Sequence, residues 1–352
     1  MPNTRTIRVL IVDDSVFMRA MLRDALSSQK EIEIIGTAQN GDDGLQKILC
    51  QKPDVVTLDI EMPGLSGLEV LERLKDQKTP CVVVSTKTQA GAQITLEALK
   101  RGAVDYVPKP LGEKGATLEG FRERVVQAVL AAAASNRSNL RPLHAVPKTK
   151  AQDLPTDAII AIGISAGGPA SLHQMLPSVP ANFPPILITQ HMPAGFTAAF
   201  ADRLNKECQI AVKEAANHDE LLPGRALIAP GDLHLRVVER GTKLAATLSN
   251  GPKVSGFRPS VDALFDSLAQ TAPERTVAIV MTGMGCDGSA GIKMLKQRGA
   301  YTIAQDEETS VVYGMPKAAA DTGCIDRVAA LQDIPEAIVE GVKALLAKAN
   351  EE

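Results

Sequence analysis

In two separate parts of this chain of 352 residues, short apolar runs alternate with segments whose apolar residues recur at the spacing of one helix face. In the first part, near-continuous runs such as Cys81–Val84 are typical of strands that are buried on both faces of a parallel sheet. Stripes such as Phe17, Met21 and Ala25 lie between the runs at the spacing of one helix face. Five strands that alternate with helices predict a doubly wound, parallel α/β sheet.

The alternation stops after Ala134 and resumes at Asp157. Residues 135–155 are polar, carry three prolines and show no periodicity, which is typical of a linker. Beyond it, further strands and a hairpin predict a second doubly wound α/β domain, mostly parallel with a small antiparallel insert. Because the chain is also long for one core, we predict a first domain over residues 1–125, a linker over 126–155 and a second domain over 156–348.

The predicted strands are apolar runs bounded by polar residues. Those of the first domain are Ile7–Val12, Glu33–Ala38, Val55–Leu58, Cys81–Val84 and Val104–Val107. Those of the second are Ala158–Ile162, Ile186–Thr189, Ala226–Ala229, Val277–Met281 and Tyr301–Ala304, with a hairpin of Leu233–Val238 and Lys243–Leu248. Open sheets of this kind place their sites at the carboxyl ends of the strands.

Composition and charge exclude several classes of protein. The net charge of −3 gives no sign of a polyanionic partner or a membrane surface. With no Trp and 3% aromatic residues, the chain lacks side chains that stack on nucleic-acid bases. No apolar run approaches the length of a membrane span, and the start of the chain has no signal-peptide core. Five widely spaced cysteines without a C-x-x-C pair predict reduced thiols in a cytoplasmic protein.

Charged and hydroxyl groups stand at the ends of four strands in the first domain. Asp13 and Asp14 come after the first strand, Asp59 after the third, Ser85 after the fourth and Lys109 after the fifth. Single acids at strand ends are commonly helix N-caps, but a set of four matching strand ends favours a site. Carboxylates there suit Mg²⁺, and a cation together with a lysine would stabilise a phosphoryl group carried by one carboxylate.

These residues resemble the motifs of response-regulator receiver domains. The matching stretches are Val12–Ser15, Leu58–Gly64, Ser85-Thr86 and Lys109-Pro110. The resemblance implies a flavodoxin-like receiver that a histidine kinase phosphorylates on Asp59. It also implies Mg²⁺ near Asp13, Asp14 and Asp59, with the backbone carbonyl of Glu61 as a further ligand.

Three more positions take their expected roles from the same resemblance. Ser85 matches the hydroxyl switch position of receivers. Tyr106, three residues before Lys109, matches the aromatic switch position. Lys109 itself matches the lysine that contacts the phosphoryl group.

Residues 163–167 read Gly-Ile-Ser-Ala-Gly and fit the pattern G-x-S-x-G between a predicted strand and a predicted helix. This pattern lifts a serine hydroxyl out of a tight strand-to-helix turn, and the glycines allow close backbone packing. Taken alone, it fits a nucleophilic Ser165 and an ordinary tight turn equally well. A serine nucleophile also requires a base and an orienting acid.

Two histidines are candidates for the base. His191 directly follows a predicted strand and so emerges at the same sheet edge as Ser165, whereas His234 lies in an alternating stretch that suits one face of a hairpin. Asp287, in the loop after a later strand, is the candidate acid, and Asp306 is a second candidate. The order serine, histidine, aspartate differs from that of α/β-hydrolases, so the pattern does not imply their fold.

Residues 283–288 also allow a rival interpretation. They fit G-x-G-x-x-G after a strand and before a helix, with Asp306 after the next strand, as in a dinucleotide-binding oxidoreductase. However, Asp287 would place a negative charge inside the loop meant to hold a pyrophosphate. The pattern also comes late in its domain, which leaves few strands to complete a cofactor site.

The second domain resembles the chemotaxis protein-glutamate methylesterase family. The matching stretches are Ile162–Gly168, Gln190–Pro193, Arg258–Asp262, Met281–Gly288, Ala304–Asp306 and Val312–Pro316. Ser165, His191 and Asp287 fall on the catalytic positions of that family. Ala166 stands where many members have Thr, and Phe257 stands where His is frequent.

The resemblance implies a phosphorylation-regulated hydrolase of glutamate methyl esters on chemoreceptors, which also deamidates glutamines, for sensory adaptation. The esterase reaction would need no cofactor. Ala166 and Met284 are candidate oxyanion-hole positions, and Arg258 is a candidate substrate contact. We expect the unphosphorylated receiver to cover the catalytic edge and inhibit it. The remaining alternative outside enzymes is a phosphorylation-controlled binding protein without turnover.

Overall fold

The structure is a computed structural model that describes residues 6–77, 79–86, 88–110, 118–135 and 157–350. The chain divides into two compact units, Met1–Pro142 and Leu143–Glu352. No helix in the described ranges is long and apolar enough to cross a membrane. All five cysteines are free. Residues 136–155 of the predicted linker lie outside the described residues.

The first unit alternates strands and helices throughout. Its strands are β1 (Ile7–Val12), β2 (Ile32–Ala38), β3 (Val55–Asp59), β4 (Cys81–Ser85) and β5 (Asp105–Pro108). Its helices are α1 (Val16–Ser27), α2 (Gly41–Gln51), α3 (Gly67–Arg73), α4 (Gln89–Lys100) and α5 (Leu118–Ala134). The strands form one parallel sheet in the order β2-β1-β3-β4-β5. Because the chain order reverses between β1 and β3, their carboxyl ends form a crevice.

Short-range chemistry sets the helix boundaries of this unit. Ser15, Asn40, Ser66 and Thr88 cap α1 to α4, and each side chain accepts a hydrogen bond from the backbone N–H three residues later. Every residue of β3 and β4 is buried. Helices α1 and α5 contact each other, as do α2, α3 and α4 in sequence. The sheet is therefore covered on both faces, as its apolar runs predict.

The second unit is larger and contains a second parallel sheet. Its strands are β6 (Ile159–Ile164), β7 (Ile186–Gln190), β8 (Ala211–Glu214), β9 (Arg225–Ile228), β10 (His234–Arg240), β11 (Lys243–Ser249), β12 (Thr276–Val280), β13 (Tyr301–Gln305) and β14 (Arg327–Ala329). Its helices are α6 (Gly168–Met175), α7 (Phe196–Glu207), α8 (Val261–Thr271), α9 (Ser289–Gln297), α10 (Met315–Ala320) and α11 (Ile334–Ala349). Seven strands pair in the order β14-β13-β12-β6-β7-β9-β8, and β10 and β11 form an antiparallel hairpin.

A hydrophobic cluster joins the sheet to the hairpin and to α8. It contains Leu264, Phe265 and Leu268 of α8 together with Leu235 and Val237 of β10, while α11 contacts β12 and β13. The first strand of the unit, β6, has β7 on one side and the much later β12 on the other. The carboxyl ends of these three strands therefore meet at the point where the strand order reverses.

The predicted fold class is confirmed in both units, including the antiparallel hairpin. Two strands were not predicted, β8 and β14, which lie at the two edges of the larger sheet. They have four and three residues and expose part of their length, so neither shows a continuous apolar run. Helix α5 continues to Ala134, past the predicted boundary at residue 125. The exact domain boundaries stay predictions.

Candidate functional site

Three loops at the carboxyl edge of the larger sheet bring together the residues of the candidate catalytic site. Ser165 directly follows β6, His191 directly follows β7, and Asp287 lies in the loop between β12 and α9. Since β6 lies between β7 and β12 in the sheet, the three loops are neighbours although more than a hundred residues separate the first from the last.

The turn that carries Ser165 is held by backbone hydrogen bonds. The N–H of Ser165 donates to the carbonyl of Thr282 at 2.9 Å, and the N–H of Gly168 donates to the carbonyl of Ser165 at 2.8 Å. Gly167 has φ +76°, a left-handed conformation that favours glycine, and a Cβ there would come within 2.5 Å of Val311. The turn leaves Ser165 only half-buried, so its hydroxyl faces a reachable space.

Ser165, His191 and Asp287 form a continuous hydrogen-bonded relay. His191 Nε2 lies 2.8 Å from Asp287 Oδ2, and His191 Nδ1 lies 3.1 Å from Ser165 Oγ. A carboxylate can only accept, so Nε2–H donates to Asp287 and leaves Nδ1 free to accept the serine proton. The two ring nitrogens are thus exchanged relative to the chymotrypsin arrangement, in which Nε2 faces the serine.

The N-terminus of α8 holds the carboxylate of Asp287. Oδ1 accepts from Ser260 Oγ at 2.8 Å and from the N–H of Asp262 at 3.1 Å, and Oδ2 accepts from the N–H of Val261 at 2.8 Å as well as from His191. Burial by itself would raise the pKa of Asp287, but His191 and these N–H groups outweigh it and hold the pKa below its usual range. Asp287 therefore stays ionised beside the imidazole of His191.

The candidate oxyanion-hole positions lie beside Ser165. A Cβ on Gly283 would come within 2.7 Å of Ser165 Cβ, so Gly283 packs against the candidate nucleophile, and Met284 is the next residue in the chain. Among the described residues, the N–H groups of Ala166 and Met284 donate to no protein acceptor, whereas that of Ser165 is already used. Two unpaired N–H groups suit an oxygen that becomes negative during the reaction.

Arg258 and the alternative residues take other places. Arg258 Nη1 donates to the carbonyls of Asn250 and Gly251, both at 2.9 Å, so this nitrogen braces the loop before α8. His234 Nε2 lies 2.9 Å from the carbonyl of Pro252, within the hairpin region. Asp306 accepts from Thr309 inside the loop after β13. The structure brings neither His234 nor Asp306 into the relay.

A second cluster occupies the crevice of the first unit. Carboxylate oxygens of Asp13, Asp14 and Asp59 lie within 4.8 Å of one another. Lys109 Nζ donates to Asp59 Oδ2 at 2.7 Å and lies 3.3 Å from Asp13 Oδ2. Asp13 and Asp59 are buried, and Asp14 is exposed. One lysine thus faces several acids in a mostly buried pocket.

Burial disfavours the negative charge of these acids, so the pocket favours an added positive charge. Burial raises the pKa of Asp59 to about 6, although the hydrogen bond from Lys109 acts in the opposite direction. Burial also raises the pKa of Asp13, whose Oδ2 is buried and accepts no well-formed hydrogen bond. Oxygen ligands with uncompensated charge fit Mg²⁺. The N–H of Glu61 donates to Asp59 Oδ1 at 3.3 Å, so Glu61 lies beside this carboxylate, while the role of its carbonyl as a metal ligand stays a prediction.

The predicted switch residues lie on β4 and β5, the two strands that follow β3 in the sheet. Ser85 is buried at the end of β4, and its carbonyl accepts the N–H of Lys109 at 2.7 Å. Tyr106 is buried on β5. The structure thus places Ser85 next to Lys109 and buries Tyr106 on β5, while the roles of both residues as switches stay predictions.

The comparisons with known proteins cover both units. A family profile described as CheB methylesterase matches residues 160–338, and one described as response regulator receiver domain matches residues 9–117. The protein-glutamate methylesterase/protein-glutamine glutaminase of Pyrococcus abyssi is 42% identical over 99% of this chain and 98% of its own. Its namesake from Geobacillus kaustophilus is 45% identical over 96% of this chain and 99% of its own. The crystal structure of the Thermotoga maritima CheB methylesterase catalytic domain matches with a TM-score of 0.51 at 42% identity, over 52% of this chain and 97% of that one.

The chain belongs to the CheB methylesterase family. The match to that family covers Ser165, His191 and Asp287, and the receiver match covers the acidic pocket around Asp59. These matches do not favour the dinucleotide-binding interpretation of residues 283–288. In this member of the family, that loop instead presents Asp287 to α8 and to His191.

Sequence reasoning missed the residues that hold the CheB-type site in shape. Thr282 Oγ1 donates to the carbonyl of Ala166 at 2.9 Å and accepts from the N–H of Val312 at 3.0 Å. Gln190 Nε2 donates to the carbonyl of Ser165 at 3.0 Å, and Gln305 Oε1 accepts from the N–H of Thr282 at 2.9 Å. Gln190 and Gln305 end β7 and β13, Thr282 follows β12 by two residues, and all three are fully or almost fully buried. A polar residue at the end of an apolar run is visible in the sequence, but it does not identify its partner.

Thr282→Val should destabilise the second unit by about 2 kcal/mol, because a valine of similar shape leaves the carbonyl of Ala166 and the N–H of Val312 buried without partners. Urea unfolding of the full chain measures this loss. Thr189→Val is the matched control, since Thr189 is equally buried on β7 and its hydroxyl has no hydrogen-bond partner among the residues that the structure describes. Equal losses for the two variants would contradict the bracing role of Thr282.

Asp59→Asn should stabilise the first unit at neutral pH in buffer without divalent cations. The folded state binds the Asp59 proton more tightly than the unfolded chain does, so the stability from protonation is complete below about pH 4 and is lost as the pH rises through about 6. Asparagine cannot ionise, and its advantage over the wild type should grow by about 2 to 3 kcal/mol between pH 4 and pH 8.

Urea unfolding of the full chain in a chelator, across that pH range, measures the difference. The matched control is Asp24→Asn, which removes an exposed carboxylate that pairs with Arg122 on the same unit. We expect no comparable pH-dependent gain from it. A constant difference between Asp59→Asn and the wild type would show that burial does not shift this titration.

Proposed function

We propose that this chain is a phosphorylation-regulated protein-glutamate methylesterase that hydrolyses γ-glutamyl methyl esters on chemoreceptors and deamidates glutamines there. The observation that carries the proposal is the relay in which Asp287, His191 and Ser165 are hydrogen bonded beside two unpaired N–H groups. The relatives are named for this same chemistry, as protein-glutamate methylesterases and protein-glutamine glutaminases. A protein that only binds its partner would not need such a relay.

In the first half of the reaction, Ser165 Oγ attacks the carbonyl carbon of the ester as His191 Nδ1 takes the hydroxyl proton. The carbonyl oxygen becomes negative and accepts from the N–H groups at Ala166 and Met284, an interaction worth roughly 3 kcal/mol per donor. The ionised Asp287 stabilises the imidazolium through Nε2–H. The intermediate collapses when methanol leaves with the proton from His191.

The second half of the reaction regenerates the serine. Water attacks the acyl group on Ser165 Oγ while His191 Nδ1 takes its proton, and the Ser165 oxygen leaves with that proton as the glutamate carboxylate is released. Deamidation follows the same course, except that ammonia leaves in place of methanol. No step requires a group beyond the protein and water.

The first unit controls this reaction as a receiver. A histidine kinase transfers a phosphoryl group to Asp59, and Mg²⁺ bound by Asp13, Asp14, Asp59 and the carbonyl of Glu61 would neutralise charge on the phosphoryl oxygens. Lys109 is already aimed at Asp59 Oδ2 and would contact those oxygens. Ser85 and Tyr106 would report the phosphorylated state to the rest of the unit. The unphosphorylated receiver inhibits the second unit.

Ser165→Ala should lower methanol release from methylated receptor by at least about a thousandfold with the fold intact, because it removes the attacking atom. Methanol release by the full chain, with far-UV circular dichroism as the folding check, measures the effect. Ser178→Ala is the matched control, since this buried serine donates to the carbonyl of Met175 away from the site. Undiminished release from Ser165→Ala would remove Ser165 from the mechanism.

Phosphorylation should raise the rate of the full chain toward that of an isolated fragment of residues 150–352. We expect acetyl phosphate with Mg²⁺ to accelerate methanol release by the wild type and to leave Asp59→Asn unchanged, because only an aspartate can accept the phosphoryl group. The fragment should respond to neither. If the unphosphorylated full chain is already as fast as the fragment, inhibition by the receiver is wrong.

A further inference from the structure

An aromatic ring lies flat on the imidazole of His191. The rings of Phe257 and His191 have centroids 3.9 Å apart and an interplanar angle of 4°, which is a parallel stack. Phe257 belongs to the loop that leads into α8, and 7% of the His191 side chain is exposed. One face of the imidazole is therefore covered by a hydrocarbon surface instead of water.

The hydrogen bonds of the relay do not by themselves prevent small tilts of the imidazole plane. Within the part of the chain that the structure describes, the imidazole of His191 makes two hydrogen bonds, one through Nδ1 and one through Nε2. Both bonds lie near the ring plane, and small rotations about the Cα–Cβ and Cβ–Cγ bonds of His191 can still tilt that plane. A tilt turns the Nδ1 lone pair out of line with the hydroxyl proton of Ser165, and proton transfer requires that alignment. A flat neighbour pressed against one face opposes the tilt.

The backbone around Phe257 is built as a tight turn. The N–H of Phe257 donates to the carbonyl of Val254 at 2.9 Å, and the N–H of Val254 donates to the carbonyl of Phe257 at 3.1 Å. The two residues between them, Ser255 and Gly256, have φ +52° and +84°, as in two-residue turns that join hairpin strands. This turn fixes the direction of the Phe257 side chain.

The turn is also tied to the helix that holds Asp287. Ser255 Oγ donates to Asp262 Oδ2 at 2.9 Å. Asp262 lies in the first turn of α8, and its own N–H donates to Asp287 Oδ1 at 3.1 Å. The turn that carries Phe257 and the carboxylate of Asp287 are therefore both anchored to the N-terminus of α8.

We propose that Phe257 is a positioning residue for the catalytic base: its ring holds the imidazole of His191 in the plane that serves both Ser165 and Asp287. Phe257 acts through His191 and touches no reacting atom. It also keeps water from one face of the imidazole, and this strengthens the two hydrogen bonds of the relay. The inference rests on the proposed methylesterase function.

Phe257→Leu tests whether stacking on His191 matters, because leucine keeps an apolar side chain but cannot stack. In the full chain, we expect kcat for methanol release to fall about 3- to 10-fold, the loss that corresponds to one aromatic stack, while KM for methylated receptor stays the same. Phe257→Tyr keeps the ring, and its kcat should stay at the wild-type value. A fall in both variants, or in neither, would overturn the proposal.

The split between kcat and KM separates positioning from substrate contact. If Phe257→Leu raises KM and leaves kcat unchanged, Phe257 binds the receptor instead and the proposal is wrong. Phe183→Leu is the matched control: Phe183 is buried before β7, at the sheet edge opposite to the site. We expect this control to lose stability in urea but to keep its kcat.

Proton NMR of the histidine ring checks the stack without turnover. A ring proton over an aromatic face is shifted upfield, so the carbon-bound ring protons of His191 should be shifted upfield in the wild type and in Phe257→Tyr but not in Phe257→Leu. Unchanged shifts in Phe257→Leu would contradict the stack. This readout is independent of the proposed function, whose own failure would appear as methanol release that persists in Ser165→Ala.

Discussion

A buried negative charge at the start of α8 is the constraint on which the catalytic relay depends. A carboxylate out of water is costly unless donors surround it, and Asp287 meets this need with a serine hydroxyl, two backbone N–H groups and the imidazole of His191. The helix terminus contributes its unpaired N–H groups and its dipole. Any change that moves α8 therefore moves Asp287, His191 and the alignment of Ser165 together.

The acidic pocket of the receiver differs from the Asp287 site in the number of hydrogen-bond donors around its buried carboxylates. Asp59 has one strong donor in Lys109, and burial with the neighbouring Asp13 raises its pKa to about 6, whereas the saturated Asp287 has a lowered pKa. The number of donors thus decides the direction of each shift. Asp287 is kept ionised against the imidazole of His191, and Asp59 is held in a pocket that is short of positive charge.

Much of this arrangement could be predicted from the sequence. The strands that carry Asp13, Asp59, Ser165 and His191 are apolar runs that end at these residues, because parallel strands are buried on both faces. The edge strands β8 and β14 were missed, since short and partly exposed strands leave no such run. The braces Thr282 and Gln190 were missed because a polar residue in an apolar strand end has no local signal that names its partner.

The sequence by itself determined the kinds of chemical group available and the strand end at which each one stands, because both follow from local patterns. Only the tertiary structure decided which groups meet, since the order β12-β6-β7 in the sheet differs from the order along the chain. It assigned Nε2 of His191 to Asp287 and Nδ1 to Ser165, and it laid Phe257 on the imidazole. These contacts join residues far apart in the chain, and the strand order together with the packing of α8 brings them together.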